Sequence, residues 1–276
     1  MSPGQVRLGQ SEVRVTRLVF GGAPIGGLFA PVSEADARAT LDAAWAAGIR
    51  AFDTAPHYGA GLSEQRLGGF LRGLPRAEFT VSTKVGRRLV PADGDVEGVD
   101  GFYGTPPLRR VRDYSRDGVR ASLEDSLSRL GLDRVDVALI HDPDDHATQA
   151  LDEAYPALAE FRSAGVVGAV GVGMNQARLL EWFVRRADLD CVLVAGRYTL
   201  LDTSAARTLF PECLRRGVGV LAGGVFNSGV LASPRPGATY DYAAADPQIV
   251  ARARRLAAIC ARHGLPLPAA ALRFTL

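Results

Sequence analysis

The chain contains few cysteines and no long uninterrupted stretch of apolar residues. Its three cysteines, Cys191, Cys213 and Cys260, are far apart and lack the spacing of a zinc site. This usage is typical of a reducing compartment, so we expect a cytoplasmic protein with no metal centre. No segment approaches the ~18 charge-free apolar residues of a membrane-spanning helix. The opening segment MSPGQVRLGQSEVRV also lacks the apolar core of a signal peptide.

An excess of either charge is also missing. The 276 residues include 32 Lys plus Arg and 30 Asp plus Glu, which gives a formal net charge of +2. This balance does not favour a nucleic acid or an anionic membrane as partner, so we expect a small-molecule ligand instead. The length suits one (β/α)8 barrel, and no change of composition marks a linker. We therefore predict a single barrel domain over residues 1–276.

Two acidic stretches raise the question of a metal. DGDVEG (93–98) has the early spacing of a calcium loop, but Gly104 occupies the position at which a bidentate glutamate is needed. HDPDDH (141–146) contains His141 and His146 with three aspartates, yet Pro143 and the helical pattern after it favour loop and cap roles. We interpret both stretches as structural.

Short apolar segments alternate with longer helical patterns along most of the chain. VDVALI (135–140) is apolar at nearly every position, which is typical of a parallel strand covered on both faces. Regular alternation of this kind predicts right-handed βαβ crossovers and a parallel sheet. The seven predicted strands lie at 15–23, 49–55, 78–86, 135–142, 168–175, 191–198 and 217–224.

Two of the intervening helices have clear ends in the sequence. Ser33 and Ser115 are predicted N-caps, and Gly48 and Gly131 are predicted stops. A closed barrel of this class needs eight strands, whereas we find seven, and the last residues ALRFTL resemble the end of a helix. We predict an α/β fold of the (β/α)8 TIM-barrel class. Its eighth strand either lies beyond the residues given or is missing from an imperfectly closed barrel.

Four ionisable side chains fall at the predicted carboxyl ends of three strands. Asp53 is near the end of the second strand and Tyr58 follows five residues later, Lys84 ends the third strand, and His141 ends the fourth. Each alone has an ordinary interpretation, as a helix cap or a solvated charge. Together they lie where parallel barrels place their catalytic groups, so we predict that they form one active site.

This set suits proton transfer coupled to hydride transfer. A phenol has an ordinary pKa of about 10 and is a weak base at neutral pH. A nearby ammonium lowers that pKa, and a carboxylate keeps the ammonium in place. We therefore hypothesise that Tyr58 is the acid/base, Lys84 its tuner, Asp53 the partner of Lys84, and His141 a neutral group that orients the reacting oxygen.

The segments FDTAPHYGAGLSEQRLG, STKVG, VDVALIHD and GVGMN resemble the aldo-keto reductases, which are NAD(P)-dependent (β/α)8 oxidoreductases. The resemblance covers the chain from about residue 7 to its end. It implies a nicotinamide cofactor, either NADP or NAD, held at the strand ends. It also implies that Asn175 binds the carboxamide and that the loop of Phe226, Asn227, Ser228 and Gly229 lies along the pyrophosphate.

Within this family, HDPDDH, AGRYTLLD and GGVFNSGVLA are most similar to the branch that oxidises aldoses such as L-fucose, L-galactose or D-arabinose at C1 to lactones. The alternatives are oxidation of pyridoxal, reduction of another carbonyl, and a non-catalytic subunit that senses nicotinamide. The chain departs from the family pattern at Ala195, where a glutamine is common, and at Gly223, where an aromatic residue commonly stacks on the nicotinamide.

The segment from about residue 87 to 114 is long for a connection between a strand and a helix. Loops of this length often act as lids. Phe102, Tyr103 and Tyr114 are candidates for an apolar wall against a sugar, with a folded surface excursion as the alternative. The sequence suggests no partner for His57 or His263.

Overall fold

A computed structural model of the protein describes residues 4–276. Its strands are β1 (Gln5–Arg7), β2 (Arg14–Thr16), β3 (Val19–Gly21), β4 (Ala51–Asp53), β5 (Thr80–Val85), β6 (Arg87–Pro91), β7 (Leu108–Arg112), β8 (Val135–His141), β9 (Val167–Met174), β10 (Cys191–Ala195), β11 (Gly219–Gly223), β12 (Thr239–Tyr240) and β13 (Ala243–Ala244). Its α-helices are α1 (Glu34–Ala46), α2 (Leu62–Leu71), α3 (Arg116–Leu130), α4 (Ala147–Gln149), α5 (Tyr155–Ser163), α6 (Ala177–Arg186), α7 (Ala205–Arg216), α8 (Pro247–Arg262) and α9 (Leu267–Thr275).

Seven parallel strands form one sheet that is nearly closed as a barrel. Their order is β3-β4-β5-β8-β9-β10-β11, so most neighbours in the sheet are also successive along the chain. The predicted α/β class and TIM-barrel architecture are confirmed, and each predicted strand segment overlaps one of these seven strands. Within residues 4–276, β3 and β11 are the two edges of the sheet, and the last helix, α9, ends at Thr275.

The sheet faces two apolar layers because successive side chains of a strand point to opposite sides. In β8, Ala138 and Ile140 pack into the main core between the sheet and the helices. Val137 and Leu139 instead pack inside the barrel. Leu8, from the loop between β1 and β2, is buried in the same interior cluster and fills the barrel at its amino end.

The predicted helix caps are present. The Ser33 hydroxyl accepts a hydrogen bond from the backbone N–H of Asp36 at the start of α1. The Ser115 hydroxyl accepts one from Gly118 at the start of α3. Gly131 adopts a left-handed conformation with φ of 66° and ends α3, as predicted. Since α3 follows the excursion between β5 and β8, its cap fixes where that excursion ends.

The long segment after β5 is a β-hairpin rather than a loop without regular structure. Strands β6 and β7 pair antiparallel, with Arg87 opposite Arg112 and Pro91 opposite Leu108. The hairpin begins two residues after the end of β5, so it lies at the carboxyl end of the barrel.

No helix within residues 4–276 is both long and apolar enough to cross a bilayer.

Candidate active site

Parallel strands bring their carboxyl ends to one side of the barrel, and Asp53, Lys84 and His141 lie there. Asp53 is the last residue of β4, and its position in the register is opposite Ser82 of β5. Lys84 lies two residues further along β5. The Lys84 Nζ donates to Asp53 Oδ2 at 2.6 Å and to the backbone oxygen of Thr54 at 2.9 Å. Ser82 donates to the other Asp53 oxygen at 2.6 Å, which leaves the carboxylate fully engaged.

Tyr58 lies directly above this buried ion pair. The Lys84 Nζ is 4.6 Å from the centre of the Tyr58 ring. The ring of His141 stands nearly perpendicular to that of Tyr58, with an angle of 88° and 5.8 Å between centres. The structure therefore brings all four predicted residues into one cluster. Lys84 is 1% exposed, so its charge acts in a site from which solvent is excluded.

Burial has the largest effect on the pKa of Tyr58. It raises the pKa of Tyr58 to about 12, although Lys84 acts in the opposite direction. The expected effect of Lys84, which lowers the pKa of Tyr58, is therefore present, but burial outweighs it and the net shift is upward. Burial alone would lower the pKa of Lys84, but Asp53 and Tyr58 more than offset this effect and raise it. At neutral pH the site holds a phenol above an ammonium.

His141 is neutral. Burial, with Arg87 and Lys84 next in importance, holds the pKa of His141 well below its ordinary value. Its Nδ1 is buried and has no hydrogen-bond partner among residues 4–276. Tyr114 fixes the backbone here, since its hydroxyl donates to the carbonyl oxygens of His141 at 2.6 Å and Asp142 at 2.7 Å. A neutral imidazole with free hydrogen-bonding capacity can orient a substrate oxygen.

A cavity of about 510 Å³ opens above these residues. Tyr58, Lys84 and His141 line it, and Phe102 and Tyr242 contribute aromatic wall. Of the three aromatic residues predicted for a wall, only Phe102 lines the cavity. Tyr114 lies beneath the site instead, and Tyr103 is not part of the lining. Tyr242, which comes from the turn between β12 and β13, was missed because it lies more than a hundred residues beyond the predicted lid.

Lys84 is the only lysine of the chain, and every other Lys or Arg counted in the sequence is an arginine. The sequence alone therefore contains a further signal that Lys84 is a special position. Arginine is always charged and has a broad planar head, whereas lysine is a compact point charge whose pKa responds to its surroundings. A single lysine in an arginine-rich chain therefore indicates a position that needs the compact amine and at which a guanidinium group cannot replace it.

The residues that the resemblance assigns to the cofactor occupy two different places. Asn175, just after β9, lines the cavity beside Gly173 and Ala195. Because Gly173 and Ala195 have little or no side chain, a flat ring can approach the strands there. The loop of residues 226–229 follows β11 and is not part of the cavity lining.

That loop has an unusual backbone. Asn227, Ser228 and Gly229 have successive φ values of 45°, 58° and 112°, and the N–H groups of Asn227 and Gly229 donate within the loop, to Gly224 at 2.8 Å and to Phe226 at 3.0 Å. Asn227 donates to the Gly196 oxygen at 3.1 Å, while its own Oδ1 is buried without a partner among residues 4–276. An unpartnered amide oxygen is an acceptor, so it fits a donor group of a bound dinucleotide and not its pyrophosphate. No group of three or more potential metal ligands occurs in this same range.

The barrel with a buried lysine–carboxylate pair beneath a tyrosine at its strand ends defines an enzyme site of the (β/α)8 type. The chain belongs to the Aldo/keto reductase family, whose sequence profile matches residues 17–276, and this confirms the resemblance found in the motifs. Enzymes of this family use nicotinamide cofactors.

Individual relatives extend the comparison over almost the whole chain. D-threo-aldose 1-dehydrogenase from Pseudomonas sp is 46% identical, with 100% of this chain and 86% of the relative aligned. Pyridoxal 4-dehydrogenase from Microbacterium luteolum is 43% identical, with 98% and 84% aligned. The solved structure of the glycerol dehydrogenase from Gluconobacter oxydans superposes with a TM-score of 0.78 at 26% identity, covering 99% of this chain and 83% of that one.

Proposed function

We propose that the protein oxidises an aldose, such as L-fucose, L-galactose or D-arabinose, at C1 to the lactone, with NAD or NADP as the hydride acceptor. The observation that carries this proposal is the buried Lys84–Asp53 pair beneath Tyr58, at the base of a cavity large enough for a sugar. The 46% identity to an aldose 1-dehydrogenase supports the choice of substrate class.

In this proposal each of the four residues has one role. The phenolate form of Tyr58, which Lys84 stabilises, takes the proton of the anomeric hydroxyl and becomes the phenol. Asp53 holds the ammonium in place through the 2.6 Å contact. His141, which is neutral, hydrogen-bonds the reacting oxygen and fixes its direction. A bound nicotinamide would supply the acceptor for the hydride from C1.

We propose the cofactor contacts that the resemblance implies. Asn175 binds the carboxamide, and residues 226–229 bind the pyrophosphate. The place of Asn175 in the cavity supports the first contact, and the resemblance is the basis of the second. Tyr242 helps to hold the loop in place, because its backbone N–H donates a hydrogen bond to Ser228 Oγ at 3.0 Å.

Oxidation of pyridoxal is the second candidate, and the 43% identity to a pyridoxal 4-dehydrogenase is the observation that favours it. A non-catalytic nicotinamide sensor is disfavoured, because a sensor has no need of a tyrosine held over a buried ammonium. One assay separates these functions. The purified protein is mixed with NAD⁺ or NADP⁺ and a panel of aldoses and pyridoxal, and the near-ultraviolet absorbance of reduced nicotinamide is followed. Turnover of pyridoxal alone would overturn the aldose proposal, and cofactor binding without turnover of anything would favour the sensor.

The two directions of the reaction will depend differently on pH. Because the pKa of Tyr58 is raised to about 12, the proton-accepting phenolate is scarce at neutral pH and its fraction rises about tenfold per pH unit. We expect kcat/KM for aldose oxidation to rise steeply from pH 7 to pH 9. Reduction of a carbonyl needs the phenol and will stay nearly constant over the same range. A bell-shaped oxidation profile centred near pH 7 would assign the proton transfer to another group.

A further inference from the structure

We propose that His57 determines substrate specificity by donating a hydrogen bond to the hydroxyl on the carbon next to the reacting carbon. This inference rests on the proposed aldose dehydrogenase function and deepens it. His57 is next to Tyr58 in the chain, lines the same cavity, and has no role in the proton transfer described above. Its side chain is 14% exposed, so it is largely enclosed.

The β6–β7 hairpin holds this histidine from two sides. One guanidinium nitrogen of Arg87, in β6, lies 3.0 Å from the His57 Nδ1 and 3.3 Å from its Nε2, and the other donates to Asp142 Oδ2 at 2.6 Å. Arg110 of β7 donates from Nε to the backbone oxygen of His57 at 3.0 Å. A side chain held at both its ring and its backbone is preorganised for a ligand, since little freedom remains to be lost on binding.

Burial and the surrounding positive charges keep the His57 ring neutral. Burial is the largest cause and Arg87 the second of a shift that lowers the pKa of His57 to about 2. The ring is therefore neutral and carries one proton. Arginine can only donate, so Arg87 cannot accept the one N–H of the ring, whichever of the two nitrogens carries it. This N–H is the donor that the ring has left to offer to a molecule in the cavity.

The position of the ring points to the substrate oxygen that it would bind. The rings of His57 and His141 are 5.6 Å apart and nearly perpendicular, at 78°. His141 is assigned to the reacting oxygen, so an oxygen held by the adjacent ring belongs to the neighbouring carbon. Asp142 also lines the cavity, and its carboxylate can accept the hydrogen of the same hydroxyl. A donor and an acceptor side by side suit a hydroxyl and leave an analogue without it poorly bound.

The size of the preference follows from the cost of unmet hydrogen bonds. A site built to bond a hydroxyl rejects an analogue lacking it, because its buried polar groups then lose their partner. We expect the wild-type protein to prefer an aldose over its 2-deoxy analogue by about 10- to 100-fold in kcat/KM, which corresponds to one or two such bonds.

The test compares this preference across variants of matched chemistry. The ratio of kcat/KM for the aldose to that for its 2-deoxy analogue is measured for wild type, His57→Leu, His57→Gln and His263→Leu. His263 is an exposed histidine near the end of α8 and provides the control. We expect His57→Leu to bring the ratio close to one, His57→Gln to recover part of it through its amide N–H, and His263→Leu to leave it unchanged.

The outcomes distinguish this inference from the function on which it rests. If wild type turns over no aldose, the proposed function fails. If wild type turns over aldoses but His57→Leu lowers both values of kcat/KM equally, the residue is structural and the inference is overturned while the function stands. Binding of NADP⁺ or NAD⁺, followed by fluorescence quenching, shows that each variant is folded, because the proposed cofactor contacts do not involve His57.

Discussion

Replacing Tyr58 by phenylalanine will lower kcat/KM for aldose oxidation by about 10²- to 10⁴-fold, the usual scale of general acid–base catalysis. The substitution removes one oxygen from a ring that otherwise packs unchanged against Phe102, whose ring is stacked 6.3 Å away. The loss should appear in kcat rather than in cofactor affinity, because the hydroxyl is assigned to the reacting oxygen. Steady-state kinetics and a cofactor titration measure the two effects separately.

Tyr103→Phe provides the matched control for this substitution. Tyr103 lies between β6 and β7 and does not line the cavity, so the loss of its hydroxyl should leave kcat/KM within about twofold of wild type. An unchanged rate in Tyr58→Phe would remove Tyr58 from the chemical step. A fall in cofactor binding equal to the fall in rate would make it a binding residue instead.

Replacing Lys84 by methionine will affect both stability and turnover. Methionine has a similar shape but no charge, so the Asp53 carboxylate is left buried without its cation. Breaking a buried ion pair in this way typically costs about 3–5 kcal/mol of unfolding free energy. Activity should fall by at least about 10²-fold, because nothing then stabilises the phenolate of Tyr58. Urea unfolding followed by circular dichroism measures the first effect, and kinetics measures the second.

A double variant separates these two effects. Adding Asp53→Asn to Lys84→Met removes the stranded charge while keeping an acceptor for the hydroxyl of Ser82, which bonds Asp53 at 2.6 Å. We expect the double variant to be more stable than Lys84→Met and equally inactive. If the single variant unfolds at the same urea concentration as wild type, the ion pair contributes little to stability. If the double variant regains activity, the ammonium is not needed for catalysis.

The sequence allowed the barrel to be predicted because its signals are local. Strand β8 is apolar at nearly every position, and Ser115 and Gly131 mark the two ends of helix α3 within a few residues. The meeting of these side chains at one end of the barrel could be predicted for a related reason. In a parallel barrel, the end of every strand reaches the same rim, so Asp53, Lys84 and His141 did not need to be near each other in sequence.

What sequence analysis missed depends on contacts between distant segments. The partner of His57 is Arg87, thirty residues later, and the two meet only because the β6–β7 hairpin folds back over the barrel. The hairpin itself was not predicted, since RRLVP and LRRVR lack the strict alternation of a half-buried strand. The net pKa shift of Tyr58 was also beyond reach, because it depends on how completely the surrounding chain excludes solvent.

The solitary lysine has a practical consequence. Protein grown with lysine labelled by ¹⁵N at Nζ will give a single side-chain amine resonance, with no overlap to resolve. Because Nζ is 2.6 Å from a carboxylate oxygen and 4.6 Å from the tyrosine ring centre, its chemical shift reports the charge of both neighbours. Nuclear magnetic resonance can therefore follow the ionisation of Tyr58 through one atom, without any substitution in the site.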